Sequence, residues 1–143
     1  MNESNLQNIG ATLLRVSLGI VLIAHSAWLK VMVFGIPGTV GFFESLGLPG
    51  FSAYLTIAVE IIAGLALIVG YQVRLAALAS VSVLIGASWV HSGNGWLFSN
   101  ANGGWEYPVF LVAVALAVFF IGGGKTTRND VVNRFVEPAE SAT

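Results

Sequence analysis

Residues 51–70, "FSAYLTIAVEIIAGLALIVG", decide the fold: twenty residues containing one charged side chain, Glu60, at their centre. As a helix they rise about 30 Å, the thickness of a bilayer's hydrocarbon core. "LPG" precedes the run and Gly70 closes it. Three more runs of the same kind lie on either side, over about 8–34, 73–91 and 105–121. The third ends at the turn-forming "SGNG" (92–95), while the fourth follows "NGG" (102–104) and stops at "GGGK" (122–125). This pattern predicts an all-α integral membrane four-helix bundle over residues 1–124. The segment "GTVGFFESLGLP" (38–49) is too short and too glycine-rich to span, and reads as an interfacial or re-entrant piece. Residues 125–143 read as a polar cytoplasmic tail.

Composition agrees. The chain has 143 residues, of which 56% are hydrophobic and 9% charged, too few charges to cover a water-soluble surface of this size. A net charge of −1 gives nucleic acid nothing to hold. The absence of cysteine excludes disulfides, thiolate catalysis, cysteine-ligated zinc and iron–sulfur clusters. Any redox role needs a bound cofactor or a partner. The start "MNESNLQNIG" lacks the basic residues of a signal peptide, so the first run reads as a retained span.

Basic residues near span ends set the orientation. Arg74 lies in the link between the second and third spans, and Lys125, Arg128 and Arg134 lie in the tail, whereas the opposite side carries Lys30 alone. Both termini are therefore expected in the cytoplasm, with the protein in the inner membrane. Trp28, Tyr54, Trp89, Trp96, Trp105 and Tyr107 gather at the outer ends, against Tyr71 inside. The second and third spans are rich in Ala, Gly and Ser, which lets helices approach closely and offers faces for a homo-oligomer.

An ionised group at mid-bilayer costs roughly 2.5–3.5 kcal/mol on insertion scales, so each one needs a reason. Glu60 is the deepest, and an Arg15–Glu60 ion pair lies within reach of an arginine side chain; a protonated Glu60 acting as a relay is the other reading. Arg15, Gly19, Leu22, Ser26 and Lys30 form one helical stripe that should face the interior. Lys30 could follow that stripe inward or extend to the headgroups. His25, Lys30, Glu44, His91 and Glu106 all come to the outer mouth, with Glu60 below them. Donors and proton carriers gathered there suit a quinone head group, flanked by Trp28 and Trp105. Axial ligation of a b-type haem by His25 and His91 is an alternative, as is a metal on those histidines and a carboxylate, although no motif spacing specifies either.

The chain resembles the DoxX family of small four-span membrane proteins. The likeness rests on "LLRVSLGIVLIAHSAWLK" (13–30), "LGLP" (46–49), "VEIIAGLALIVGYQVR" (59–74) and "GGWEYPVFLVAVALAVFFIGGG" (103–124), in that order. One departure is that members often carry Gly soon after the histidine position, where this chain reads "HSAWLK". The resemblance implies a redox-type cytoplasmic-membrane protein, linked to quinones, oxidoreductase partners or protection against oxidative and thiol stress. It also implies that Arg15, Lys30, Glu60, Arg74 and Glu106 matter. The resulting expectation is a quinone-linked subunit in which Glu60 and Glu106 move protons, His25 and Lys30 hold the head group, and Arg15 and Arg74 hold the helices. A non-catalytic membrane anchor for an oxidoreductase and a small-molecule transporter are the competing classes.

Overall fold

The structure, a computed structural model, describes residues 2–124; the expected tail, with the three cations that weigh on orientation, lies outside them. Among the described residues every regular element is a helix, and there are no strands. Helix α1 spans Glu3–Ile23 and continues without a break as a π-helix over Ala24–Val33. It begins earlier than the expected residue 8 because Asn2 caps it, its side chain accepting from the Asn5 N–H at 3.1 Å. The polar first turns then extend beyond the apolar run. Helix α2 (Gly35–Ser45) covers most of the segment expected to be interfacial or re-entrant, and lies against the π-helix and α3. Helices α3 (Phe51–Val69), α4 (Val73–His91) and α5 (Glu106–Ile121) follow.

Three stretches are long and apolar enough to cross a membrane: Glu3–Val33, Phe51–Val69 and Val73–Asn94. The fourth, α5, has 16 residues and rises about 24 Å, somewhat short of the hydrocarbon thickness. Bulky apolar side chains point outward from all four, among them Leu13, Ile62, Leu75 and Phe120. A water-soluble protein would bury such residues, whereas lipid is their natural solvent.

Helices α1, α3, α4 and α5 pack as a ring, α1 and α4 each touching both α3 and α5. Leu18, Leu22, Leu67, Ala77, Ala115 and Val118 form the centre of the core. Helices α1 and α3 cross at glycines: a Cβ on Gly19 would stand 2.7 Å from the Gly64 carbonyl oxygen. Only hydrogen fits at that contact, which lets the backbones meet. At the end of the bundle where α1 starts, α3 and α4 are joined by a tight turn, with Gly70 at φ 75° and Gln72 at φ 45°.

Arg15 secures this end. Its guanidinium donates to the carbonyls of Leu67 and Ile68 in the last turn of α3 and to that of Gly123 beyond α5. The expected Arg15–Glu60 pair is therefore replaced. Glu60 lies seven residues above Leu67, about 10 Å along the helix, while the carbonyls at the end of α3 have no helical partners and carry the negative end of its dipole. Arg74, expected in the same ion-pair set, is exposed and lies alongside Gly122.

Candidate functional site

Where α1 leaves the core its hydrogen bonding changes from i+4 to i+5, as in the Phe34 N–H donating to the Leu29 carbonyl at 2.9 Å. Short π-helical insertions often mark functional positions, because they re-aim side chains without ending the helix. This one carries His25, Ser26 and Lys30. The stripe Arg15, Gly19, Leu22, Ser26 is buried throughout, and Lys30 completes it half-buried. Ser26 donates to the Ile57 carbonyl at 3.1 Å, fixing the π-helix against α3. Thr39 of α2 donates to the Lys30 carbonyl at 2.7 Å, satisfying an acceptor near the end of that helix.

Lys30 thus turns inward and meets Glu60. Its Nζ lies 2.8 Å from both carboxylate oxygens, with the two side chains 20% and 6% exposed. Among the described residues this is the one salt bridge. Removing one partner of such a pair strands a charge and typically costs about 3–5 kcal/mol, whereas replacing both by apolar groups is often neutral.

The pair forms one wall of a cavity of about 480 Å³, within the range of small-molecule sites. Leu22, Val59, Leu84 and Leu111 supply apolar walls, and His25, His91 and Tyr107 join Lys30 and Glu60 as its polar features. The His25 Nδ1 lies 2.9 Å from the Val21 carbonyl, and the His91 Nδ1 lies 3.1 and 3.0 Å from those of Asn102 and Gly103. A carbonyl only accepts, so each Nδ1 carries hydrogen, and in the neutral ring Nε2 is left to accept or to ligate. Tyr107 stacks on His25 at 6.2 Å between ring centroids.

The structure therefore gathers three of the expected mouth residues, His25, Lys30 and His91, around one space with Glu60. The others stand apart. Glu44 is exposed and leans toward Gly50. Glu106 accepts from the Phe98 N–H at 3.2 Å, bracing the 92–105 loop. Trp105 packs edge-on against Trp96 at 4.4 Å, and Trp28 faces outward, 60% exposed. Trp89 lines the cavity as well, and Tyr107 is the other cavity residue the sequence reading left in the aromatic belt. It follows Glu106 by one position, about 100° around the helix, so one of the two faces the loop when the other faces the cavity. No group of three or more His, Asp or Glu suited to a metal ion forms among the described residues.

The family model for DoxX matches residues 10–93, a stretch that contains His25, Lys30, Glu60 and His91. A protein of Bacillus subtilis (strain 168) named "Putative oxidoreductase CatD" is 34% identical over 118 residues, covering 82% of this chain and 83% of that relative. No solved structure matches. The chain belongs to the DoxX family and is a multi-pass membrane protein.

Proposed function

From DoxX membership and the Lys30–Glu60 cavity, we propose that this chain is a redox-associated inner-membrane subunit that binds a quinone or similar hydrophobic redox molecule. The observation carrying the proposal is a buried ion pair whose ammonium and carboxylate border an otherwise apolar cavity, beside two imidazoles and a phenol. In this reading α1, α3, α4 and α5 all span, α5 reaching across with help from the aromatic loop before it. Both termini are cytoplasmic, so the cavity occupies the outer half of the bilayer. Helix α2 lies at the outer interface.

Quinone reduction takes two electrons and two protons. The chain's own side chains supply no electron carrier, so the electrons come from a partner oxidoreductase, consistent with the relative's printed name. What the site can provide is hydrogen bonding and protons. Lys30 donates to a ring carbonyl, the Nε2 of His25 or His91 accepts from a hydroxyl of the reduced ring, and Glu60 exchanges protons through Lys30. Glu106, committed to the Phe98 amide, stands outside this path.

A double-mutant cycle separates a functional pair from a structural tether. Glu60→Leu and Lys30→Met should each lower stability by about 3 kcal/mol or more, and Lys30→Met/Glu60→Leu should recover most of that loss. All three should lose binding of a short-chain benzoquinone to protein in lipid nanodiscs. Retained binding in the stable double variant would reduce the pair to a structural tether and end the proposal.

A further inference from the structure

We infer that the cavity opens sideways into the hydrocarbon between α3 and α4, and that its ligand is an amphiphile. The polar head meets Lys30–Glu60 while a flexible apolar tail leaves through this gap. The inference rests on the head-group site proposed above and adds the shape and class of molecule it takes.

Helices α3 and α4 are closed at the inner end and open at the outer end. Near their connecting turn Leu67, Val73, Ala76 and Ala77 are all buried in one core. Toward the outer half, the α3 residues Ser52, Leu55, Thr56 and Val59 and the α4 residues Val83, Gly86, Ala87 and Val90 line the cavity instead. Thr56, Val59, Val83 and Ala87 are only half-buried, while Leu55 and Gly86 are exposed at the rim. On each helix the cavity-lining face lies about a quarter-turn from the buried one, so the two faces look at each other across an unfilled space.

Depth identifies the surrounding medium. Gly86 lies five residues below His91, about 7.5 Å inside the end of α4, and Leu55 lies four residues inside the start of α3. The rim therefore stands among acyl chains. The rim is apolar apart from Thr56 and the Ser52 and Ser82 hydroxyls, which donate to the Pro49 and Ala79 carbonyls, and charge appears only at Lys30 and Glu60. A path that is greasy at its opening and charged at its end fits a molecule built in the same order.

Gly86 contributes to the gap. A Cβ built there meets nothing within 4 Å, so no close helix contact requires glycine at this position. Its missing side chain widens the space instead. The same openness makes it a suitable place for a plug.

The test uses full-length protein in lipid nanodiscs and two benzoquinone probes with one ring, carrying either a methyl or a decyl substituent. Equilibrium binding is read from tryptophan quenching, referred to each probe's concentration in the lipid. Gly86→Phe should weaken the decyl probe at least about tenfold relative to the methyl probe. Leu55→Trp, which fills the opposite rim, repeats the comparison should Gly86→Phe not fold. Equal effects on both probes, or none, would overturn the lateral gap while leaving the head-group site standing. A change of oligomeric state in Gly86→Phe would also overturn it, because the gap would then be a contact between copies of the chain. Failure of wild type to bind either probe would remove the head-group site and this inference with it.

Discussion

At the residue scale, Glu60, Lys30 and Arg15 are satisfied in two ways. Glu60 is neutralised by Lys30, Lys30 is held by Glu60 and a half-buried setting, and Arg15 is surrounded by carbonyl oxygens. The guanidinium is planar and forked, so one side chain can join the last turn of α3 to Gly123, two residues beyond α5. Arg15→Leu should destabilise the protein by about 1.5–3 kcal/mol, the worth of hydrogen bonds from a charged donor. Arg15→Lys should restore only part of this, because a point charge cannot reproduce the fork. Reversible unfolding in mixed micelles measures both, and full rescue by lysine would show that charge alone suffices.

At the element scale, glycine has opposite meanings in neighbouring helices. Gly19 and Gly64 occupy a backbone crossing, where an added methyl would come within 2.7 Å of a carbonyl oxygen or 2.9 Å of Ile23. Gly19→Ala should therefore push α1 from α3 and destabilise by about 1–3 kcal/mol. Gly86→Ala meets open space and should stabilise by roughly 0.5–1 kcal/mol through helix propensity. Thermal melts of the two single variants should shift in opposite directions. The π-helix belongs to the same scale. Apolar periodicity carried the stripe from Arg15 to Ser26 correctly, since one helix period serves for that distance. The change to i+5 bonding at Ala24 leaves no comparable trace in "AHSAWLK", because it comes from the fit of Ser26 and Lys30 against α3.

At the scale of the whole molecule, the proposed topology places the 92–105 loop outside and α1's first turn inside. The chain has no cysteine, so single cysteines report cleanly. Gly93→Cys, at a position with nothing within 4 Å of a new Cβ, should react with a membrane-impermeant maleimide in intact spheroplasts. Ser4→Cys should react only after lysis. Labelling of both from one side would mean an even number of crossings between them, and labelling of Ser4→Cys alone in intact spheroplasts would mean the opposite orientation.

The apolar helices were legible in the sequence because a bilayer offers the backbone no hydrogen-bond partners. Each spanning segment must satisfy itself within its own length, so local composition carries the information. The runs at 51–70 and 73–91 therefore appear as Phe51–Val69 and Val73–His91 with almost no adjustment. Proximity in sequence and depth could bring Arg15, Lys30 and Glu60 into one neighbourhood, but not choose between them. Tertiary structure gave Lys30 to Glu60 and Arg15 to the end of α3. It also drew His25 and His91 to one cavity, turned Glu106 to its loop and left Trp28 outside. These choices depend on how each helix is rotated and where α3 and α4 part. Rotation and separation follow from side chains meeting across helices, an interaction that no single span's sequence contains.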